Sequence, residues 1–233
     1  MAPSAVKSRK KLLDQRDEFV TVSVRALSYI VSHRRPFLFA LISLLVLGAA
    51  FVTYNLYDNR QERQAALALH EARALYLPLL ARPKLGKSEV DSAITKLEEV
   101  IRRYPRTSSA FQATFYLGQI QYRLGDYSKA AQTFQYATRR ASTPMFRELA
   151  LMNLGNAQEA MGDCRAAISS YQGVAADKAI FQDRALESTA RCYEVLGDRA
   201  KAIDFYNQVL QKFPQTPWAE EIKDRLSRLQ AAG

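Results

Sequence analysis

A Gly-Asp pair recurs at a nearly constant spacing in the C-terminal half of the chain. The pairs are Gly125-Asp126, Gly162-Asp163 and Gly197-Asp198, which are 37 and 35 residues apart. Each pair separates two segments whose apolar and small residues recur every three or four positions, as on one face of a helix. Glycine can adopt the left-handed conformation that ends a helix, and the following aspartate can cap the next helix. The pattern predicts a series of helical hairpins in which Gly125, Gly162 and Gly197 have positive φ.

Small residues and aromatic rings keep matching places in these hairpins. The small pairs are Gly118 with Ala130, Gly155 with Ala167, and Ala190 with Ala202, and the rings are Phe134, Tyr171 and Tyr206. Small residues allow two helices to approach closely, and a ring can then fill the space between successive hairpins. A partial copy lies upstream, with Val90, Ala93, Leu97 and Val100 on one stripe. Pro105 and Pro214 cannot extend a preceding helix, so they separate the units.

These residues resemble the tetratricopeptide repeat, a helix–turn–helix unit of about 34 residues. The resemblance covers Ser88 to Pro214. It departs from the usual pattern at the large aromatic expected early in each first helix, where Thr114 and Leu151 stand. The resemblance implies an all-α tetratricopeptide-repeat solenoid of about four units. A final stripe of Trp218, Ile222, Leu226 and Leu229 predicts a C-terminal helix that covers the last unit.

An uncharged stretch of 22 residues, Pro36 to Tyr57, precedes the repeats. As a helix it would be about 33 Å long, which matches a hydrocarbon core of about 30 Å. A cleaved signal peptide is the alternative, but its apolar region is usually only about 7–15 residues long. We therefore expect a transmembrane helix. Residues 1–35 contain eight Lys or Arg and three acidic residues, so the positive-inside bias places the N-terminus in the cytoplasm and the repeats in the periplasm.

The segment after the span carries a helical stripe of Ala65, Leu69, Ala72, Leu75 and Leu79. It predicts a helix over Asp58–Leu77 that continues from the span and packs as the first helix of the first repeat, with Pro78 kinking or ending it. We expect a basic cytoplasmic tail at 1–35, the transmembrane helix at 36–57, a linker and repeat start at 58–87, repeats at 88–214 and a capping helix at 215–233. Before the span, residues 17–35 have the pattern of an amphipathic helix, although the alternation of Val20, Val22 and Val24 also allows a short strand.

The composition offers little for catalysis. The two histidines, His33 and His70, have no obvious nucleophile partner, and the sequence contains no glycine-rich phosphate loop. We expect no enzyme activity, no cofactor and no metal site. Cys164 and Cys192 are expected to be small core residues, with a disulfide as the alternative because the periplasm permits one. A basic tail can bind nucleic acid, but the adjacent span favours a membrane surface, so no nucleic-acid partner is expected.

The first helices of stacked repeats line a concave groove, which such solenoids use to hold peptides or partner domains. The alternative for each groove residue is an ordinary solvated surface. The residues predicted to line the groove are Phe115, Gln119, Tyr122, Arg123, Met152, Asn156, Glu159, Glu187, Arg191 and Glu194.

The layout and the lead-in "DEFV…SHRRP" are similar to those of the YfgM-like inner-membrane proteins. That resemblance implies a single-pass inner-membrane protein associated with the secretion translocon, periplasmic chaperones or exported clients. The repeats alone also look like the periplasmic domain of the Tol–Pal-associated coordinator protein, a family with a coiled coil and a cleaved signal. A structural scaffold of an envelope machine with one fixed partner is therefore the alternative function.

Overall fold

The computed structural model describes residues 34–80, 86–174 and 180–231, and the regular structure within these ranges is entirely helical. The helices are α1 (Arg34–Leu80), α2 (Lys87–Arg103), α3 (Ser108–Arg123), α4 (Tyr127–Arg140), α5 (Pro144–Ala160), α6 (Cys164–Gln172), α7 (Gln182–Val195), α8 (Arg199–Lys212) and α9 (Ala219–Ala231). The all-α prediction is confirmed. The chain divides into two compact units, Met1–Asp58 and Asn59–Gly233, which are described separately.

In the first unit, the described residues belong to α1. Side chains 35–58 are all exposed, including the aromatic and aliphatic residues of the span. The helix is long and apolar enough to cross a membrane. The amphipathic segment predicted at 17–35 and the rest of the basic tail lie outside the described residues, apart from the start of α1.

In the second unit, the end of α1 packs with α2 and α3 around one apolar cluster. The expected stripe is correct except at one position, because Tyr76 is 2% exposed whereas Leu75 is 41% exposed. Successive residues of a helix are about 100° apart, so Tyr76 lies almost directly in line with Leu69, and Leu75 lies well to one side. The helix ends at Leu80, two residues beyond Pro78.

The turns between paired helices follow the glycines. Gly125, Gly162 and Gly197 have φ of 77°, 81° and 76°, which confirms the predicted left-handed conformation. The expected aspartate caps form at two of the three turns: the carboxylate of Asp163 accepts from the Ala166 N–H at 3.0 Å, and that of Asp198 accepts from the Lys201 N–H at 3.2 Å. At the first turn the prediction is wrong, because Asp126 instead pairs with the Lys129 side chain at 2.7 Å.

Close helix approach occurs where the small residues predict it. Ala130, Ala167 and Ala202 are completely buried, as are the rings of Tyr171 and Tyr206. A Cβ atom added to Gly118 would lie only 2.7 Å from the Phe134 ring, so only glycine fits that contact. At the C-terminal end, Ile222 and Leu226 of α9 are buried against α7 and α8, and Trp218 and Leu229 pack beside them. The last repeat is therefore covered by α9.

Cys164 and Cys192 are buried free thiols in one apolar cluster with Tyr171 and Ile168. Burial raises the pKa of the Cys192 thiol, and its hydrogen bond with Cys164 raises it further. Both cysteines are buried core residues with free thiols in this structure, as expected from the sequence.

Candidate partner-binding groove

A pocket of about 280 Å³ lies between α3 and α5. Its lining residues are Gln119, Tyr122 and Arg123 from α3, Phe134 from α4, and Asn153 and Asn156 from α5. Four of the residues predicted for the groove thus meet at one place. Asn153 was missed, although it precedes Asn156 by three positions and therefore lies on the same helix face. Phe134, which the sequence pattern places in the core, is 1% exposed and is also among the pocket-lining residues.

Aromatic side chains form one wall of this pocket. Tyr122 is 36% exposed, and its ring packs edge-on against Tyr127 with the centroids 5.1 Å apart. Phe115, another predicted groove residue, is half-buried behind Phe134, with their ring centroids 5.9 Å apart. The pocket therefore presents one accessible ring, Tyr122, beside a rigid aromatic base.

Contacts from α1 hold the other α3 side chains in place. The hydroxyl of Tyr76 donates to Gln119 Oε1. The Arg123 guanidinium donates to the Leu79 carbonyl at 2.6 Å, close to the C-terminal end of α1. A cation is stabilised at that end of a helix because the last carbonyls carry partial negative charge. Arg123 therefore joins the first repeat to the second as well as lining the pocket.

On α5, one amide is anchored within its own helix and the other contacts α6, the second helix of the same repeat. Asn153 Nδ2 donates to the Leu149 carbonyl at 2.8 Å. The Tyr171 hydroxyl lies 2.9 Å from Asn156 Oδ1 and 2.8 Å from Glu159 Oε2. Both amides are thus oriented at the pocket by local bonds.

The next interface along the groove, between α5 and α7, is bridged by charge. Arg191 Nε and Nη2 donate to the two oxygens of Glu159 at 2.7 and 2.9 Å, a bidentate pair, and Nη1 donates to Glu187 at 2.6 Å. Burial alone would raise the pKa of Glu159, but the hydrogen bonds and charge of Arg191 and the bond from Tyr171 together lower it. Hydrogen bonding to Glu159 raises the pKa of Arg191, and burial raises that of Tyr171. These groups hold adjacent repeats together.

The remaining predicted residues have other surroundings. Met152 and Glu187 are each 5% exposed, so they belong to the interior and not to the groove surface. Met152 packs with Cys164, Ala167 and the rest of that apolar cluster. Glu194 accepts from the Tyr206 hydroxyl at 2.9 Å and from Arg225 at 3.2 Å. The predicted groove thus divides into a pocket at α3–α5 and a bonded network from α5 onwards.

The chemistry of the pocket suits an extended peptide segment that carries an apolar side chain. Asparagine and glutamine amides both donate and accept, which matches the alternating groups of an extended peptide backbone. The ring of Tyr122 offers apolar contact area with a polar tip. Within the described ranges, no group of three or more His, Cys, Asp or Glu is placed to hold a metal ion. The absence of catalytic and cofactor chemistry stays a prediction.

Several solved structures share the helical architecture. A tetratricopeptide repeat protein from Parabacteroides merdae is 17% identical, with a TM-score of 0.56 over 71% of this chain and 61% of that chain. Kinesin light chain repeats from Podosopora anserina are 16% identical, with a TM-score of 0.52 over 75% and 87%. The secretion chaperone SycD of Yersinia enterocolitica, solved with a YopD peptide, is 25% identical over 54% and 92%, with a TM-score of 0.46. No curated protein matches the sequence.

A family model described as a tetratricopeptide repeat-like domain matches residues 37–231. The match begins inside the apolar span and ends at the last residue of α9, so it includes every helix pair described above. The positive-φ turn glycines and the buried alanines and rings of the hairpins all lie within the matched residues. The chain belongs to the tetratricopeptide repeat-like domain family.

Proposed function

We propose that this protein is a membrane-anchored interaction module whose α3–α5 pocket binds extended segments of protein partners. The pocket carries the proposal, because it gathers an accessible ring and two oriented amides from adjacent first helices. The family to which the chain belongs builds scaffolds for protein interaction, and it supports the general class of function. No cofactor or nucleic acid enters the proposed role.

We further propose that the repeats lie in the periplasm of a bacterium, beside the secretion translocon, and hold exported clients in a chaperone-like way. The excess of basic residues before the span supports a cytoplasmic N-terminus. The exposed apolar length of α1 supports an anchor in the inner membrane. The resemblance to YfgM-like proteins supports the position near the translocon.

Topology is tested by fusing reporter enzymes after Gly233. A reporter that works only in the periplasm should be active, and one that works only in the cytoplasm should be inactive. The reverse result would place the pocket on the other side of the membrane and would exclude periplasmic clients.

Binding is tested by purification of the full chain from detergent extracts, followed by identification of co-purifying proteins. The variant Tyr122→Ala/Asn153→Ala/Asn156→Ala removes the pocket chemistry. It should keep its fold, because the Tyr171 hydroxyl retains Glu159 as an acceptor and Tyr122 is partly exposed. Arg123 and Arg191 are left unchanged because they join repeats.

The matched control is Gln132→Ala/Gln135→Ala/Asn207→Ala, which removes three amides from the second helices α4 and α8. We expect normal helicity for both variants and at least a fivefold loss of partner only for the pocket variant. Equal recovery of partners by all three proteins would exclude the pocket as the binding site. Many exported clients with translocon subunits favour the proposed role, whereas one stoichiometric partner favours an envelope scaffold.

A further inference from the structure

A second pocket, of about 270 Å³, lies where the α2–α3 connection meets the end of α4. Three arginines line it: Arg106 from the connection, and Arg139 and Arg140 from the last turn of α4. No carboxylate is among the described lining residues, and none of these arginines forms an ion pair with another described residue. The pocket is therefore a concentrated positive site that the groove proposal does not use.

The base of this pocket is apolar. Phe111 and Ala137 are buried in one cluster, and the Phe111 ring stacks on Phe146 with the centroids 4.5 Å apart. At the rim, the Arg140 guanidinium lies over the Tyr136 ring at 5.4 Å from its centroid. Cations above an apolar base suit a ligand that combines an anionic group with hydrocarbon.

A carboxylate of α1, Glu62, contacts residues next to the pocket lining and is engaged by backbone groups. Glu62 accepts from the Ser108 N–H at 2.7 Å, and from the N–H and hydroxyl of Ser109 at 3.1 and 2.7 Å. It thus caps the first turn of α3, directly after the connection that carries Arg106. Since its charge serves the helix terminus, it does not neutralise the three arginines by pairing with them.

The same contact ties the pocket edge to the start of the second unit. Glu62 follows Tyr57, the last residue of the uncharged span, by five positions. The residue that caps the first turn of α3 therefore follows the uncharged span closely in sequence.

We propose that this arginine pocket binds the headgroup of an anionic phospholipid from the membrane that anchors the protein. The arginine forks would bind the phosphate oxygens, and the apolar base would contact the first carbons of the lipid. The inference rests on the proposed membrane anchor, but it is independent of the α3–α5 groove. A phospholipid is favoured over a soluble acidic peptide because the apolar base beside the three arginines matches hydrocarbon next to a phosphate, and because the proposed anchor keeps the protein in a membrane.

The test measures lipid binding to the full chain in an uncharged detergent by native mass spectrometry. Short-chain phosphatidylglycerol is the probe, with phosphatidylcholine of the same chain length as the uncharged reference. The variant is Arg106→Gln/Arg139→Gln/Arg140→Gln. The matched control, Lys129→Gln/Arg165→Gln/Arg199→Gln, removes three charges at the starts of the second helices α4, α6 and α8. The basic tail contributes equally to lipid binding by all three proteins.

We expect the wild type and the control to prefer phosphatidylglycerol. An arginine at an anionic surface contributes about fivefold in affinity, so the pocket variant should lose at least about tenfold. A variant with lysine at all three positions should retain most of the preference. Unchanged lipid preference in the glutamine variant would overturn the proposal, and so would binding of a soluble acidic peptide or inorganic phosphate in preference to phosphatidylglycerol.

Membrane extraction separates this inference from the anchor on which it rests. If the glutamine variant remains in the membrane fraction but has lost no lipid affinity, only the headgroup site is wrong. If the wild type itself is released from membranes by alkaline carbonate, the anchor and the headgroup site both fail.

Discussion

The packing of α5 against α6 depends on the missing side chain of Gly155. A Cβ atom added there would lie 2.7 Å from Cδ1 and 2.8 Å from Cζ of the Tyr171 ring. The ring cannot move outwards freely, because Tyr171 is completely buried and its hydroxyl bonds to Glu159 at 2.8 Å. Gly155→Ala should therefore destabilise the protein, although alanine is the better helix former.

The magnitude follows from three contributions. Alanine in a helix interior stabilises by about 1 kcal/mol relative to glycine. Overpacking a core costs about 1–3 kcal/mol. Displacing the ring also weakens a hydrogen bond to a charged acceptor, which contributes about 1.5–3 kcal/mol. Taking about 2 kcal/mol for each cost, we expect a net loss of about 3 kcal/mol, or about 1.5 M in urea midpoint at an m-value of about 2 kcal/mol/M.

The assay is urea unfolding of the full chain in detergent, followed by circular dichroism. The matched control is Gly125→Ala, where no atom lies within 4 Å of the new Cβ but φ is +77°. That variant should lose only about 1 kcal/mol of stability, which is the cost of placing alanine in the left-handed conformation. In a Tyr171→Leu background the ring is absent, so Gly155→Ala should become neutral or stabilising. An equal effect of Gly155→Ala in both backgrounds would refute the ring contact as the cause.

Three further predictions concern polar and thiol groups. Glu62→Ala should lower the free energy of unfolding by about 1–2 kcal/mol, because two N–H groups in the first turn of α3 lose their acceptor. The control is Glu71→Ala at an exposed position of the same helix. Equal urea midpoints for the two variants would contradict the capping role of Glu62. Cys164 and Cys192 should react with iodoacetamide at pH 8 only after unfolding, because both are buried; mass spectrometry showing rapid native labelling would contradict this. The pKa of Glu159 is lowered from 4.5, so its carboxylate stabilises the fold above about pH 4.5 and that contribution is lost as pH falls through the lower folded pKa. Glu159→Gln should therefore show a shallower fall in urea midpoint between pH 5 and pH 3, and an unchanged slope would remove Glu159 from the acid response.

The buried faces of the hairpins could be predicted because they depend on local spacing. Ala130, Ala167 and Ala202 recur with the turn glycines, and all three are completely buried. Residues separated by three or four positions share a helix face whatever surrounds the helix. The glycine turns were predictable for a similar reason, since a positive φ excludes most other residues.

The burial of individual groove residues could not be predicted in this way. Met152 and Glu187 have the spacing of groove residues, but both are buried in the structure. The position of a residue on a helix face determines only the direction in which its side chain points. Its burial also depends on how far the neighbouring repeat extends. Glu187 is buried and accepts from Arg191, one turn further along the same helix, at 2.6 Å.

The sequence by itself determined the all-α repeat architecture and the long apolar helix before it, since both depend on periodicity and composition within short segments. The tertiary structure alone decided that Glu62 caps α3, that Arg123 binds the end of α1, and that Arg106 meets Arg139 and Arg140 at one pocket. These contacts join residues more than 30 positions apart. Their geometry depends on the rotation and separation of successive helix pairs, which packing of the whole solenoid fixes and no local pattern records.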